Sequence, residues 1–516
     1  MRWLPLRGSV LCIAGIFLAV FIAYSNTLGN FFLDDDYGNL IIPFFTRHSI
    51  AGFIFSWAVC ARPYTAGYFI WACVAKAFGA DPLFHHGAML LLHGAVASLS
   101  FLYVRRLCGS ASLGAAAGLL YAVGFVSSEA VARIMQMHYL VCSVFSFLCL
   151  LLMLYDTRAA RKAMVAAFLI ALCSKEIALT VPLLLVLQAG LFGGRGAVKK
   201  NAGIYALLCS FVLAYLTVKL TYPLQFGSPG YMVGGKPPYA AFFSAHGVVQ
   251  GVWAYARALV SAPVYYCIFS VNRFVFGKYV PALKVALLMA ALLPAALYGL
   301  MHTRRFFSDR VLLFGASWIV LGALPFVVLL DAIDYNRGGL INTRYLYFAS
   351  FGLCLIMVRS LQQLYSHGER IAKAMVICGF TATALLHMAV LYGNNSAYQY
   401  ASSIAREIPR QTKARFPLKN GRDTAFYFLD PQGGLQYAQG VHLFKNGGLD
   451  GAFFLTYGFM PKVYVVNRKE YDECMANYGA VGGGLIASVD AQRALADGYL
   501  LRWDPAARRV VNAAEG

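Results

Sequence analysis

The sequence predicts a polytopic α-helical membrane protein of about eleven spans followed by a C-terminal extracytoplasmic α/β domain, with the border between residues 392 and 393. Three observations predict it. The mean hydropathy is +0.63 and only 13% of the 516 residues are charged, against about 25% in soluble domains. Apolar runs long enough to cross, or nearly cross, a bilayer recur from residue 9 to residue 392. Beyond 392 the character changes to Gly-rich turns and short β-prone runs.

The runs fall at 9–25, 84–104, 111–127, 138–155, 162–174, 177–192, 202–222, 280–301, 310–330, 345–362 and 371–392. Several, notably 162–174, are short and need packing around them rather than lipid. Arg2 and Arg7 precede the first run and place the N-terminus in the cytoplasm. The clusters Arg105/Arg106, Arg158/Arg161/Lys162, Arg195/Lys199/Lys200, Arg304/Arg305/Arg310 and Arg359/Arg370/Lys373 then all fall inside, as the positive-inside rule requires. Segment 248–272 is apolar enough to span, but counting it would move Arg304 and Arg305 outside. With Arg257, Pro263, Tyr265 and Tyr266 it reads as a re-entrant or interfacial helix. Ala23-Tyr24-Ser25 loosely fits a signal-peptidase site, yet the first run reads as a retained anchor.

The net charge of +21 belongs to these short loops, so nucleic acid is excluded as the partner and the lipid bilayer takes its place. The twelve cysteines show no CxxC pair and no metal-ligand spacing; Cys149, Cys173 and Cys209 lie in apolar runs and read as small core residues.

On this topology the polar residues that an apolar environment excludes meet at one outer face. Asp34, Asp35 and Asp36 stand just beyond the first run, in Phe31-Phe32-Leu33-Asp34-Asp35-Asp36-Tyr37. Arg62 lies before Pro63 in the same loop. His85, His86 and His93 begin the second run. Glu129, Arg133, Gln136 and His138 occupy the next outer loop, Lys175 and Glu176 link two short runs, and Arg344 and Tyr345 open the tenth. Ionisable groups near membrane depth point to function. Each also has a structural alternative. Glu129 and Arg133 can form an i, i+4 ion pair, and Lys175 and Glu176 can stitch two helices together. The histidines can be hydrogen-bonded core, Arg344 an interfacial anchor, and Arg62 a turn former. Convergence on one face favours a site.

The kit suits sugar transfer from a polyprenyl-phosphate donor. A carboxylate takes the acceptor's proton as its hydroxyl attacks the anomeric carbon. Cations hold the departing phosphate. Because phosphate leaves readily, one base suffices, unlike the two-carboxylate arrangement of glycosidases. Asp34 and Asp35 are the candidate catalytic residues. Arg62, His86, Glu129, Arg133, His138, Lys175, Glu176, Arg344 and Tyr345 are candidates for binding substrate and phosphate. The sequence requires no cofactor and shows no metal site; paired carboxylates are also compatible with a divalent cation.

These residues resemble the type C glycosyltransferases, multi-span enzymes that use lipid-phosphate sugars and carry an acidic motif in the first outer loop. The transmembrane, tetratricopeptide-bearing O-mannosyltransferase group and its bacterial relatives are the most alike. The resemblance runs through Tyr24-Ser25-Asn26-Thr27-Leu28-Gly29-Asn30-Phe31-Phe32-Leu33-Asp34-Asp35, then Arg62-Pro63, Phe84-His85-His86 to His93, Glu129 to Ile134, Ser174-Lys175-Glu176 and Arg344-Tyr345-Leu346-Tyr347. It implies catalytic Asp34 and Asp35, with Asp36 past the paired position. It implies an inverting transfer from a polyprenyl-phosphate-linked sugar to a glycan, lipid or protein acceptor in the periplasm of a bacterial inner-membrane system. Gly87 replaces the group's usual Asn, and residues 393–516 replace the repeat domain. Two other classes compete: a lipid-linked glycan transporter or flippase, which needs charges along a path through the bilayer, and a non-catalytic scaffold.

The tail is expected to form strands at 424–429, 462–466 and 499–503. Cys474 is alone and His442 has no evident ligand neighbours, so the tail reads as an acceptor-positioning or lid-like domain without catalysis of its own.

Overall fold

In a computed structural model the described residues are 6–47, 49–59, 64–226, 308–325, 343–367, 369–419, 421–429, 435, 437–438, 441–444, 448–466, 485–486 and 498–513. The expected interfacial segment 248–272, the expected span 280–301 and Arg62 lie outside them.

Helix α1 (Leu6–Tyr24) is followed by three short helices of the first long loop, α2 (Ile42–Arg47), α3 (Ile50–Val59) and α4 (Thr65–Phe78). Helix α5 (Pro82–Cys108) has clear stop signals at both ends. The Asp81 carboxylate accepts from the Leu83 amide, Pro82 opens the helix, and Gly109 closes it with φ +67°. Helix α6 (Ala111–Ala122) returns at once, capped by Ser110. The chain then bends by 44° into the short α7 (Ser128–Ala132). Next come α8 (Met137–Met153), α9 (Arg158–Leu172), α10 (Val181–Gln188), α11 (Gly194–Lys200) and α12 (Ala202–Phe226). After the gap, α13 (Arg310–Ala323) and α14 (Ser350–His367) cross closely. A Cβ at Gly352 would lie 2.5 Å from the Gly315 carbonyl oxygen, so the crossing needs glycine there.

Among the described residues, five helices are long and apolar enough to cross a membrane, or six if the bent α6–α7 pair counts as one span. Their core is aromatic. Trp318, Phe147, Phe348 and Phe351 pack with ring centroids 4.7–5.7 Å apart, and the Trp318 indole donates to the Phe348 carbonyl at 2.8 Å.

The last apolar run does not stop at residue 392. Helix α15 (Arg370–Arg415) continues for 46 residues, or about 69 Å at 1.5 Å per residue. Its second half exchanges an apolar surface for polar anchors. The Asn395 amide donates to the Ala23 carbonyl at 3.2 Å and Arg406 to the Gly29 carbonyl at 3.2 Å, so the helix is fastened along the chain that leads into the acidic loop. Its end is then fixed to the tail by Arg415 to the Val510 carbonyl and Lys413 to the Thr456 carbonyl.

The tail is a five-stranded sheet with a covering helix. The strands are β1 (Ala425–Leu429), β4 (Lys462–Val466), β5 (Leu485–Ile486), β6 (Gly498–Asp504) and β7 (Arg509–Asn512), in the order β5-β4-β1-β6-β7. A separate pair comprises β2 (Tyr437–Ala438) and β3 (Val441–His442). In the five-stranded sheet, central β1 pairs in parallel with both β4 and β6, and β7 is the one antiparallel strand among the described residues. Its apolar run, Ala-Phe-Tyr-Phe-Leu, is what a parallel strand covered on both faces requires. Helix α16 (Gly448–Tyr457) packs Phe453 against Phe426 and Phe428.

Candidate active site

The acidic loop begins where α1 ends. Asp34 takes a left-handed backbone conformation with φ +50°, which Asp tolerates better than most residues. The turn separates the Asp36 carboxylate from those of Asp34 and Asp35.

Asp36 faces inward. Its carboxylate accepts from the Leu33 amide at 2.9 Å and the Met135 amide at 2.6 Å, tying the loop to the segment between α7 and α8. Burial pushes its pKa up to about 7, against the Arg133 charge and the two amide donors, which pull it down. It shapes the loop.

Asp34 and Asp35 face Arg133. The guanidinium lies 2.6 Å from Asp34 and 3.6 Å from Asp35, and it donates to Glu129 at 3.1 Å. Glu129 also receives Arg344, through the side-chain guanidinium and through the backbone amide at 3.0 Å. Arg344 in turn donates to the Tyr345 hydroxyl at 3.2 Å and lies over that ring. Three carboxylates and two guanidinium groups, from residues 34 to 344, thus form one network. Glu129 and Arg133 do form the i, i+4 pair that local spacing allows, but that pair is also the hub of the long-range network.

Burial separates the two candidate bases. The Asp34 side chain is 3% exposed and locked to Arg133, whereas Asp35 is 25% exposed and more distant from it. Asp35 is therefore the more accessible of the two.

A second group lies alongside. Lys175 pairs with Glu176 at 3.0 Å and donates to the Tyr64 hydroxyl at 2.9 Å, while that hydroxyl donates to Glu176 at 2.8 Å. The Lys175 ammonium also sits over the rings of Tyr64 and Tyr139, at 4.1 and 4.9 Å. His138 stacks on Tyr64 with ring centroids 4.8 Å apart, and Tyr139 approaches Tyr345 at 6.4 Å. The two groups therefore adjoin through aromatic rings. Tyr64 and Tyr139 escape sequence reasoning because neither carries charge; the signal for Tyr64 is its place two residues after Arg62.

The histidines of α5 do not join the network. His85 shares a hydrogen bond with the Gly79 carbonyl at 3.0 Å and stacks on Trp71. His93 bridges the Tyr347 hydroxyl and the Ala122 carbonyl. Both are core residues. His86 is buried, with no hydrogen-bond partner among the described residues. Among the described residues no group of three His, Cys, Asp or Glu side chains is arranged to hold a metal.

No family model matches the chain, and no curated protein matches it. The solved structures similar to it include two of one protein. ArnT from Cupriavidus metallidurans bound to undecaprenyl phosphate has 12% identity over 92% of this chain and 95% of that one, with a TM-score of 0.44. The same protein in the apo state has 16% identity over 90% of this chain and 94% of that one, with a TM-score of 0.34. Both scores lie below 0.5, so the likeness is loose and the chemistry rests on the residues themselves.

Proposed function

We propose that the chain is a membrane glycosyltransferase that moves a sugar from a polyprenyl-phosphate donor to a hydroxyl acceptor by a single inverting displacement. One observation carries this reading: a partly exposed carboxylate, Asp35, stands at the edge of a network in which three carboxylates share two guanidinium groups. Asp35 is the more accessible of the two candidate bases, and a general base must be within reach of the proton it takes.

Asp35 takes the proton of the acceptor hydroxyl as the oxygen attacks the anomeric carbon. The bond from that carbon to the phosphate oxygen breaks on the opposite side, and its electron pair leaves with the polyprenyl phosphate. The negative charge that grows there is met by Arg344, whose side chain is 15% exposed, and by Lys175 beside it. Asp34 and Glu129 hold Arg133 and Arg344 in place, and fixed donors need no reorganisation at the moment of reaction. In this reading the Asp35 end of the bundle faces the periplasm, with the tail above it.

The test uses membranes containing the chain and a panel of undecaprenyl-phosphate-linked radiolabelled sugars. One donor should lose its label to an acceptor with the wild type and not with Asp35→Asn. If no donor is consumed faster by wild type than by that variant, the reading falls.

A further inference from the structure

The tail touches the acidic loop at the residue whose backbone is unusual. The Asp34 amide donates to the carbonyl of Leu443, which lies between β3 and α16, at 2.8 Å. The Asp34 carbonyl and, three residues on, the Tyr37 ring meet helix α16. A Cβ at Gly448 would lie 3.2 Å from the Asp34 carbonyl oxygen, and a Cβ at Gly451 would lie 2.5 Å from the Tyr37 Cβ and 3.1 Å from its ring. Gly448 and Gly451 are one turn apart on that helix, so both present the same face to the loop. The Phe444 ring flanks Tyr37 with centroids 6.2 Å apart, and the Tyr37 hydroxyl donates back to the Phe32 carbonyl at 2.8 Å. All the groups concerned are buried.

We propose that Leu443, Phe444, Gly448 and Gly451 of the tail form a clamp that sets the geometry of the acidic loop, with Gly451 and Leu443 as positioning residues for Asp34 and Asp35. The proposal rests on the functional reading of those two carboxylates. It assigns the tail a role beyond covering the site. The loop has one fixed side on the membrane domain, through Asp36 and the Met135 amide, and the clamp supplies the other. Arg133 holds the Asp34 side chain from the bundle and the Leu443 carbonyl holds its backbone amide from the tail, so the left-handed backbone is fixed from both sides while the tail is docked. Small displacements of a catalytic group cost rate without costing donor affinity.

The experiment compares Gly451→Ala and Gly448→Ala with Gly458→Ala. Gly458 follows α16 with φ +76° and has open space around its Cβ position, so its substitution strains the tail without touching the loop. Hydrogen exchange of residues 31–41 is read on the full-length protein, together with transfer kinetics and binding of undecaprenyl phosphate. Gly451→Ala should raise exchange in 31–41 about tenfold or more and lower kcat about tenfold or more, with undecaprenyl phosphate affinity within about twofold. Gly448→Ala should do the same more weakly, and Gly458→Ala should leave both the exchange and kcat near wild type. Unchanged exchange in 31–41 for Gly451→Ala overturns the clamp. So does raised exchange with kcat unchanged, or an equal loss of kcat in Gly458→Ala. If Asp34→Asn and Asp35→Asn both keep full transfer, the functional reading fails instead, and the exchange data still judge the clamp.

Discussion

Two of the ionic clusters among the described residues of the helical bundle differ in kind. The first is centred on Asp309. It caps α13 through the Val311 and Leu312 amides, and it receives Arg359 at 2.8 Å and Gln363 at 2.6 Å from the second half of α14. Each contact is accounted for by capping one helix and fastening it to its neighbour. The second joins Asp34, Asp35, Glu129, Arg133 and Arg344, and Arg344 lies before α14 begins. Here one carboxylate is partly exposed, and the partners lie up to 215 residues apart. Burying such groups costs several kcal/mol per ion unless pairing repays it. A cluster that exceeds what packing needs is the one to read as functional.

The sharpest way to break this comparison is to remove one carboxylate from each cluster. Asp35→Asn should lower transfer by about 10²–10⁴-fold, the range a general base supplies, while the protein still inserts and unfolds near the wild-type midpoint. Asp309→Ala should leave transfer within about twofold and lower stability by about 1 kcal/mol, as the loss of a cap does. Equal losses of transfer in membrane assays would erase the distinction.

Removing a cation sharpens it next. Arg133→Met leaves Asp34 and Glu129 buried with one partner fewer, and breaking a buried pair from one side costs about 3–5 kcal/mol. Arg161, which pairs with the solvent-facing Asp156, should change to Ala with no measurable shift in thermal midpoint. Arg344→Lys should then separate chemistry from stability. A point charge replaces a planar fork at a site that binds Glu129 and the Tyr345 hydroxyl at once, so kcat should fall about tenfold or more at a midpoint near that of wild type.

The smallest effect lies within the triplet. Burial raises the Asp36 pKa from the ordinary value of 3.8 to about 7. A raised folded-state pKa contributes stability that is fully present below the unfolded pKa and is lost as pH rises through the folded one. Thermal midpoints should therefore decline between about pH 4 and pH 7 through this group. Asp36→Asn should flatten that part of the profile, and an unchanged slope would remove Asp36 from it.

Much of this was legible in the residues, and the rest was not for identifiable reasons. Strands form at Ala425–Leu429, Lys462–Val466 and Gly498–Asp504, where aromatic and β-branched runs announce them. The end of α15 was not legible, since hydropathy reports where lipid contact stops and not where a helix stops; Asn395 and Arg406 carry it on against the first loop. Charged members of the network stood out because apolar surroundings make charge conspicuous. The division of labour within Asp34, Asp35 and Asp36 did not, since it depends on which way each side chain turns from a left-handed backbone. Nor did the contact from Leu443, whose backbone carbonyl has no signature in sequence.

In the proposed reaction Asp35 and Arg344 bound the place where a lipid-linked phosphate departs, and a structure of the full-length protein determined with undecaprenyl phosphate tests this. Phosphate density is expected within hydrogen-bonding reach of the Arg344 guanidinium, about 3 Å, with Asp35 facing the side where the sugar would sit. Phosphate bound away from Arg344, or the lipid held where Asp35 cannot reach it, would overturn the proposed roles of both residues.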